Sequence, residues 1–465
     1  MNIPDHFNFV EHVLSKTSTR ADHPALFDTV HALTYSQLDQ RIRSLAWALG
    51  HQGLRQEERV AIILKDSCDT AALILATMYA GMVAVPLDPR SSTDNLKYCV
   101  EHSGARLIIA ETDLCPLFNQ AVTTLSRDDL PTWAVAPSAW APARTHRDSA
   151  CIFMYTSGTT GHPKAVVHRH GALITIGTRY GVEAIGVTAT DVLFSAPKLF
   201  FSFGLLSLWT ALTAGAALVL NPGIFIPSTV AKLVVQFGVT VITAVPVLYG
   251  KLLEQSLDGH QLRLCLSGGD RLPESVCQRW LDKTQVHLRN IYGSTETGTA
   301  FTYNSGQATP GSIGQPIAGY ELDIRDEQLW VRAPSAGLCY WHDKYWSERQ
   351  FGEWMPTGDI VSQDAQGNYY FLGRASDVVK VNGKYVDLGK IEQAVMQVSG
   401  VQEAVVVGKM SDSGHTRLKA YVVATPGQAI VDVDVQQHVN ELAIIDAMPR
   451  TENGKIQRYK LRAQM

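Results

Sequence analysis

The chain has 465 residues, which is too long for one small hydrophobic core and predicts two or three domains. Hydrophobic residues make up 46% of it and charged residues 18%, and 40 Lys and Arg against 44 Asp and Glu leave a net charge of −4. This balance is that of an ordinary globular protein, and it predicts neither a basic surface for a nucleic acid nor an acidic tail.

The cysteines, the N-terminal residues and the apolar runs indicate which further classes of protein are not expected. The seven cysteines are odd in number and scattered without a CxxC spacing, which predicts free thiols rather than a disulfide framework or a zinc site. Met1–His6 lacks the basic and apolar parts of a signal peptide, so a cytoplasmic protein is expected. The most apolar run, Leu205–Leu220, is too short to span a bilayer, so it predicts a buried helix and no membrane partner.

The first third of the chain alternates between strand and helix patterns. The predicted strands are Arg59–Leu64, Val83–Leu87 and Ala105–Ala110, and the predicted helices between them are Asp69–Gly81 and Thr93–Ser103. Such alternation is typical of a mostly parallel, doubly wound sheet.

The segment Tyr155–Lys164 is rich in hydroxyl side chains and glycine and ends in a Pro-Lys pair. It follows the apolar run Ala150–Met154, so it reads as a loop that leaves a buried strand. Backbone N–H groups and hydroxyls turned toward one point suit phosphate oxygens, and the lysine adds a positive charge. An ordinary turn is the alternative. A P-loop NTPase is not expected, because Lys164 precedes Ala165 where that pattern requires Ser or Thr.

The strand and helix pattern resumes after this loop. Four short apolar runs predict strands: Leu218–Leu220, Val239–Ala244, Leu262–Leu266 and Val286–Asn290. Two polar, glycine-containing loops, Ser267–Asp270 and Tyr292–Gly298, follow the last two of them. Because open α/β sheets bind ligands at the carboxyl ends of their strands, the three loops are expected to converge on one site.

The last third of the chain has shorter segments and more turn signals. Residues from about 306 to 373 predict a small β subdomain, and residues 376–465 predict a small C-terminal domain of strands and helices. The expected fold is therefore α/β. A large N-terminal domain (1–375) holds doubly wound mixed sheets and the β subdomain, and a small α+β domain follows it (376–465).

Five segments in this order resemble the signature motifs of the adenylate-forming superfamily, which contains acyl-CoA and aryl-CoA synthetases, peptide-synthetase adenylation domains and luciferases. They are Thr156–Lys164, Tyr292–Glu296, Pro356–Asp359, Gly373–Asp377 and Pro449–Lys455. The resemblance covers nearly the full chain. It implies an enzyme that uses ATP and Mg²⁺ to activate a carboxylic acid as an acyl-adenylate and then transfers the acyl group to a thiol.

The resemblance also implies roles for single residues. The β- and γ-phosphates would be held by Thr156, Ser157, Gly158, Thr159, Thr160 and Lys164, the α-phosphate by Thr295, and Mg²⁺ by Glu296. Tyr292 would stack on adenine, Asn290 would meet its amino edge, and Gly268, Gly269 and Asp270 would line its other side. Asp359 would accept from the ribose hydroxyls with support from Arg374. A surface ion pair is the alternative for these last two residues.

The small domain is expected to carry the catalytic lysine. Lys455 would bridge the incoming carboxylate and the α-phosphate, whereas a lone lysine in a polar tail would otherwise be read as solvated. Members of the superfamily turn this domain between the two half-reactions near a hinge after the conserved arginine. The sequence places Ser376 there instead of the usual Asp or Lys, and a serine can still absorb a backbone rotation.

The acid is expected to be aromatic. An amino-acid substrate would need a carboxylate near Phe201 and Ser202 to pair with its ammonium group, and none is present. The segment instead resembles the benzoate-CoA ligase branch. Phe201, Phe203 and Tyr249 would pack a planar ring, Gly268 and Gly293 would leave room for it, and Ser202 would meet a ring hydroxyl. The alternative is that these aromatic residues belong to the core.

The acceptor is left open between two phosphopantetheine thiols. CoA is the expected acceptor for this branch, and a holo acyl-carrier protein is the alternative because the C-terminal domain is shortened around Asn440–Ala443. A fatty-acid ligase and a non-catalytic nucleotide-binding protein are more distant alternatives. A homodimer is compatible with the sequence.

Overall fold

A computed structural model describes residues 2–118, 122–133, 141–156, 162–223, 226–305, 311–341, 351–375, 378–381, 384–410, 416–425, 427–428, 430, 439–449, 456 and 458–465. The chain divides into two compact units. Unit 1 comprises Met1–Glu321 and Arg332–Met355, and unit 2 comprises Leu322–Val331 and Pro356–Met465. Unit 2 thus includes residues that the sequence assigned to the large domain, and the predicted functional boundary at Ser376 stays a prediction.

The helices are short and mostly lie between strands. They are α1 Phe9–Thr17, α2 Tyr35–His51, α3 Cys68–Tyr79, α4 Thr93–Ser103, α5 His170–Ile176, α6 Ser202–Ala214, α7 Pro227–Gln236, α8 Pro246–Leu252, α9 Glu274–Thr284, α10 Leu388–Met396 and α11 Arg458–Arg462. A π-helical segment, Gly177–Ala184, continues α5, and three 3₁₀ segments cover Ser18–Arg20, Cys115–Phe118 and Arg127–Trp133.

The strands number from β1 to β25 among the described residues. They are β1 Pro24–Phe27, β2 Ala32–Thr34, β3 Arg59–Ile63, β4 Val83–Pro86, β5 Leu107–Ala110, β6 Thr123–Ser126, β7 Ala150–Thr156, β8 Lys164–Arg169, β9 Val192–Ser195, β10 Ala217–Val219, β11 Val241–Ala244, β12 Leu264–Ser267, β13 Leu288–Ser294, β14 Thr299–Tyr303, β15 Ser312–Pro316, β16 Glu321–Arg325, β17 Gln328–Arg332, β18 Cys339–Tyr340, β19 Met355–Gln363, β20 Tyr369–Arg374, β21 Val378–Val381, β22 Lys384–Asp387, β23 Val401–Met410, β24 Thr416–Ala424 and β25 Glu441–Ile444.

The first sheet of unit 1 has seven strands in the order β18-β8-β7-β4-β3-β5-β6. The run from β7 to β6 is parallel, and β8 and β18 add antiparallel pairs at one edge. Buried apolar side chains such as Ile63, Val85, Ile108 and Phe153 form its core. Helix α4 begins where the Ser92 hydroxyl accepts from the N–H of Asn95, which caps the first turn.

The second sheet of unit 1 runs in the order β15-β14-β13-β12-β11-β9-β10-β1-β2. Its centre, from β13 to β1, is parallel, and antiparallel strands flank the centre on both sides. Trp280, Tyr249 and Phe194 are among its fully buried side chains. The predicted alternation of strands and helices and the mixed α/β fold are confirmed.

Unit 2 holds two kinds of β structure. Strands β16, β17, β19 and β20 are neighbours in that order, and β19 and β20 form an antiparallel hairpin. Further along the chain, β23 pairs with β24 antiparallel and β24 with β25 parallel. A buried cluster that includes Val406, Val422 and Val395 packs α10 against this small sheet. No helix in the described parts of the chain is long and apolar enough to cross a membrane.

Candidate active site

Strands β7 and β8 form an antiparallel hairpin that brings two predicted phosphate-contacting residues opposite each other. Thr156, the last residue of β7, pairs with Lys164, the first residue of β8. Four predicted residues between them lie outside the described residues: Ser157, Gly158, Thr159 and Thr160. Both ends of the predicted phosphate-binding segment are therefore fixed on one hydrogen-bonded ladder.

Aromatic side chains tie this hairpin to helix α4. The Tyr98 ring stacks with two imidazoles, at centroid distances of 4.7 Å from His162 and 5.3 Å from His102. His102 Nδ1 lies 2.9 Å from the hydroxyl oxygen of Tyr155, and that hydroxyl donates to the carbonyl of Cys99 at 3.0 Å. The residues on both sides of the loop thus contact one helix.

The predicted acid-binding residues Phe201, Ser202 and Phe203 lie at the start of helix α6. Ser202 Oγ is 3.1 Å from Thr295 Oγ1. The ring of Phe203 stands against Gly268, where an added Cβ would lie 3.2 Å from the ring atom Cζ. Phe201 is 43% exposed. The contact between Ser202 and Thr295 joins the segment that would select the acid to the motif that would contact the α-phosphate.

The loop after β12 carries three further predicted residues. Gly268 is buried directly after the strand end, Gly269 has a φ of +83°, and Asp270 is exposed and accepts from the N–H of Arg271 at 2.7 Å. A positive φ favours glycine because it lacks a Cβ. The loop therefore turns away from the sheet directly beside the Phe203 ring.

Strand β13 holds the two residues predicted to meet adenine. Asn290 is buried, and its Nδ2 donates to the carbonyl of Ser312 at 3.0 Å, which leaves its Oδ1 as an acceptor. Tyr292 is half-buried and packs edge-on against Phe301 with a centroid distance of 5.1 Å. Asn290 is the last residue of β13 that pairs in parallel with β12, and Tyr292 follows it, so both lie where the parallel part of the sheet ends.

Gly293 has a structural role that the sequence did not predict. The pairing of β13 with β14 shifts register between Tyr292 and Gly293. A Cβ added at Gly293 would lie 2.1 Å from the carbonyl oxygen of Thr299. The glycine was predicted to leave room for the acid, and the structure shows that it also allows β14 to approach closely at a bulge.

Glu296, the predicted magnesium ligand, is held at its side chain and at its backbone. The hydroxyl of Tyr340 donates to Glu296 Oε1 at 2.6 Å, and the N–H of Gly337 donates to the Glu296 carbonyl at 2.8 Å. Burial, with Glu296 beside the phenol, keeps the pKa of Tyr340 above its usual value. Lys164 Nζ lies 5.7 Å from the centroid of the same ring.

The environment of Glu296 fits a magnesium ion that is shared with a nucleotide. Within the described chain no donor contacts its second oxygen, Oε2, so one carboxylate oxygen is available to a cation. The described residues contain no cluster of three His, Cys, Asp or Glu side chains that could hold a metal alone. Mg²⁺ commonly combines one protein carboxylate with phosphate oxygens and water, which agrees with a single ligand.

His168 is a fully buried neighbour of Thr295 that the sequence analysis missed. Its Nε2 is 2.8 Å from the Thr295 carbonyl, and because a carbonyl only accepts, Nε2 carries the proton. Nδ1 has no hydrogen-bond partner among the described residues. Burial lowers the pKa of His168 to about 4, so the imidazole is neutral near pH 7. His168 therefore orients the Thr295 peptide without adding charge.

Lowering the pH from about 6 to about 4 is expected to destabilise the fold through three buried groups. Burial lowers the pKa of His168 to about 4 and that of His170 to about 3, so each takes up a proton first in the unfolded chain. Burial raises the pKa of Asp66 to about 6, so Asp66 takes up a proton in the folded state and offsets one histidine. The unfolded chain therefore binds about one proton more than the folded chain. This difference lowers the free energy of unfolding by roughly 1 kcal/mol for each pH unit of acidification, which urea titrations at several pH values measure.

One variant separates the contribution of Asp66 to the pH dependence of stability from that of the two histidines. Asp66→Asn keeps an oxygen that can accept from the N–H of Leu199 but removes the titration, so the slope between about pH 6 and 4 should roughly double. A stability that does not change over this interval in the unmodified protein would contradict the prediction.

The predicted ribose-binding pair lies in unit 2. Asp359 and Arg374 face each other across β19 and β20, and Arg374 Nε is 3.0 Å from Asp359 Oδ1. Asp359 is 2% exposed, and Arg374 also donates to the carbonyl of Thr357 at 3.2 Å. The hairpin thus holds a buried carboxylate beside an exposed guanidinium.

Comparison with known proteins assigns the family. The model of the AMP-binding enzyme family matches residues 14–341, and that of the AMP-binding enzyme C-terminal domain matches residues 390–455. The chain belongs to the AMP-binding enzyme family. The predicted membership of the adenylate-forming superfamily is confirmed.

The relatives of this AMP-binding protein lie on the predicted branch. It is 32% identical to the 4-hydroxybenzoate–CoA/benzoate–CoA ligase of Rhodopseudomonas palustris, over 94% of this chain and 90% of that protein. It is 30% identical to the benzoate–CoA ligase of Thauera aromatica, over 100% of this chain and 97% of that protein. The solved structure of the anthranilate CoA ligase AuaEII in complex with anthranoyl-AMP is 28% identical, with a TM-score of 0.86 over 99% of this chain and 98% of that one.

Three predicted residues of the AMP-binding protein are not brought together with the others by the described structure. Tyr249 is fully buried: its ring packs edge-on against Trp280, and its hydroxyl is 2.9 Å from the carbonyl of Leu266. This position favours the core alternative, and a contact between Tyr249 and an acid stays a prediction. Lys455 and the hinge residue Ser376 lie outside the described residues.

Two residues of this site had no clear signal in the sequence. Tyr340 lies in the two-residue strand β18 and His168 within the apolar strand β8, so the local sequence singles out neither of them. Both reach the Thr295–Glu296 segment across more than 40 positions of sequence, a pairing that no local pattern reveals.

Proposed function

We propose that this protein activates an aryl acid with ATP, releases pyrophosphate to form an acyl-adenylate, and transfers the aroyl group to the thiol of CoA with release of AMP. It would thus act as an AMP-forming acid–thiol ligase. The single observation that carries the proposal is the contact of 3.1 Å between Ser202 Oγ and Thr295 Oγ1. It unites the acid-selecting segment with the nucleotide motif, as a reaction between a carboxylate and an α-phosphate requires.

The triphosphate would bind at the open end of the β7–β8 hairpin. Thr156 and Lys164 stand at the two ends of the loop, and the Lys164 ammonium would bind the β- and γ-phosphates. The Thr295 hydroxyl would donate to the α-phosphate. Mg²⁺, held by Glu296 Oε2 and phosphate oxygens, would supply charge neutralisation when bound.

Each unit, taken by itself, holds residues proposed to bind the nucleoside. In unit 1 the Oδ1 of Asn290 would accept from the amino group of adenine, because its Nδ2 already donates to Ser312. Tyr292 would offer a ring face, and the loop Gly268–Asp270 would line the other side. In unit 2 the carboxylate of Asp359 would accept from the ribose hydroxyls, with Arg374 balancing its charge.

An aryl acid is supported by the side chains at the start of α6. The Phe203 ring lies against Gly268, and Phe201 exposes a second ring. The residues from 197 to 204 contain no carboxylate that could pair with an amino-acid ammonium. The relatives named above act on benzoate, 4-hydroxybenzoate or anthranilate by name. Because the Ser202 hydroxyl is a donor and an acceptor, we favour a ring that carries a hydroxyl.

The same comparison supports a proposal for the acceptor. The named relatives are CoA ligases, which favours CoA. A holo acyl-carrier protein presents the same phosphopantetheine thiol, so it remains the second candidate, favoured by the short segment around Asn440–Ala443. The predicted homodimer, the cytoplasmic location and the hinge at Ser376 remain proposals.

A panel of acids tests the proposal. We expect ATP–pyrophosphate exchange to be fastest with hydroxybenzoates and benzoate and to be slow with medium-chain fatty acids and amino acids. Ser202→Ala should lower kcat/KM for the preferred hydroxybenzoate about fivefold while changing benzoate little, since one hydrogen bond is worth about 1 kcal/mol.

Controls make the panel decisive. Ser207→Ala, a change on the same helix but outside the site, should leave the acid preference unchanged. CoA and a holo carrier protein offered together as competing acceptors should yield mainly aryl-CoA. A strong preference for a fatty acid or an amino acid, or no exchange with any acid, would overturn the proposed function.

A further inference from the structure

Tyr340 lies between the two charged groups of the candidate triphosphate site. Strand β18 pairs antiparallel with β8, and Tyr340 is the register partner of Val166. Lys164, two residues along β8, shares a strand face with Val166, because side chains alternate between faces. The Tyr340 ring therefore comes diagonally across from Lys164, which agrees with the distance of 5.7 Å from Nζ to the ring centroid.

The hydroxyl of Tyr340 is directed at Glu296. It donates to Oε1 at 2.6 Å, while the N–H of Gly337, three residues earlier, donates to the Glu296 carbonyl at 2.8 Å. One short segment thus binds both the backbone and the carboxylate of Glu296. A charge-assisted bond of this length restricts the carboxylate to one orientation.

Neighbouring contacts keep the phenol in place. Phe351 packs edge-on against the Tyr340 ring at a centroid distance of 5.0 Å and an interplanar angle of 82°. The next residue, Trp341, is buried, and its Nε1 donates to the carbonyl of His102 at 2.7 Å. The N–H of Trp341 also donates to the carbonyl of Ala165 at 2.8 Å. The position of the hydroxyl is therefore set by packing on several sides.

The same ring separates two opposite charges. In the described parts of the chain, Lys164 and Glu296 form no ion pair with each other, although both contact Tyr340. A direct pair would occupy the ammonium and the carboxylate that a magnesium–triphosphate ligand needs. With the tyrosine between them, Lys164 remains available to phosphate and Oε2 to a cation.

We propose that Tyr340 is a positioning residue for the metal: its hydroxyl fixes the Glu296 carboxylate so that Oε2 meets a divalent cation, and its ring keeps Lys164 from pairing with that carboxylate. This inference rests on the metal role of Glu296 in the proposed function. Groups that orient a metal ligand typically affect metal affinity about 10- to 100-fold.

Metal binding tests the inference directly. The affinity of Mn²⁺ is measured by the electron paramagnetic resonance of the free ion, with the full chain and the non-reactive analogue α,β-methylene-ATP. We expect Tyr340→Phe, which keeps the ring but removes the hydroxyl, to weaken Mn²⁺ binding about tenfold. In pyrophosphate exchange it should raise the Mg²⁺ concentration for half-maximal rate by a similar factor, with kcat at saturating Mg²⁺ little changed.

A matched control removes an equivalent hydroxyl elsewhere. The hydroxyl of Tyr370 donates to the carboxylate of Asp364 at 2.9 Å, in the β19–β20 hairpin of unit 2. Tyr370→Phe should leave both the Mn²⁺ affinity and the Mg²⁺ requirement unchanged. Tyr340→Leu, which also removes the ring, should additionally raise the KM for ATP, because Lys164 could then pair with Glu296.

A double-mutant cycle distinguishes the ways in which the idea can fail. Glu296→Gln should weaken Mn²⁺ binding, and adding Tyr340→Phe to it should cause no further loss. If Glu296→Gln weakens binding but Tyr340→Phe changes it less than twofold, the positioning role is wrong and the proposed function stands. If Glu296→Gln also leaves Mn²⁺ affinity unchanged, the metal role assigned to Glu296 is wrong, and the inference is overturned with it.

Discussion

Replacing Lys455 with alanine is expected to lower ATP–pyrophosphate exchange about a thousandfold, because adenylation would lose the positive charge that offsets the attacking carboxylate and the α-phosphate. Transfer of the aroyl group from preformed aroyl-adenylate to CoA should remain within a few-fold of the unmodified rate, because no carboxylate anion has to approach the α-phosphate in that step. Rapid-quench measurements of each half-reaction separate the two effects.

A second lysine on the same C-terminal segment provides the control. Lys460 is exposed in helix α11, and Lys460→Ala should leave both half-reactions unchanged. Equal losses in both half-reactions for Lys455→Ala would indicate general damage to the small domain. Survival of both would remove Lys455 from the proposed mechanism.

Gly293→Ala is expected to damage both stability and activity. The added Cβ would lie 2.1 Å from the Thr299 carbonyl oxygen, so β14 must move away from β13. Overpacking of this kind costs about 3 kcal/mol in free energy of unfolding. Since Thr295 and Glu296 follow directly in the chain, the same movement should lower kcat/KM about 100-fold, as small misplacements of reacting groups do.

Gly250 in helix α8 is the matched position for the same substitution. No atom lies within 4 Å of a Cβ built there. Gly250→Ala should therefore be neutral or stabilise the protein by up to about 1 kcal/mol, since alanine favours a helix over glycine. Urea unfolding and steady-state kinetics of the two variants compare the positions. A Gly293→Ala variant with unchanged stability would show that β14 is free to shift.

The parts of the fold that local chemistry determines were predictable. Helix Thr93–Ser103 has the predicted bounds because a serine cap precedes it and an αL glycine, Gly104, ends it. The bounds of most other predicted elements differ by a few residues, since element ends depend on tertiary contacts.

Pairings between distant segments could not be read from the sequence. Nothing local shows that β8 folds back antiparallel on β7, or that β14 approaches β13 so closely that Gly293 cannot carry a side chain. The residues of the candidate site fall into the same two groups, those that a local pattern reveals and those that only tertiary contacts reveal. Motif residues such as Thr295 and Asp359 were recognised from their neighbours, whereas Tyr340 and His168 act through contacts with residues far away in the chain.

The pairing of Thr156 with Lys164 in the β7–β8 hairpin also affects how easily the segment between them can change in length. Because Thr156 and Lys164 are register partners, the residues between them leave and re-enter the sheet at the same rung. A loop closed on such a rung can change length at a small entropic cost, about 0.6 kcal/mol for each doubling. The length of this segment could therefore be engineered with little change to the β7–β8 ladder, and independently of any change at Phe201–Phe203.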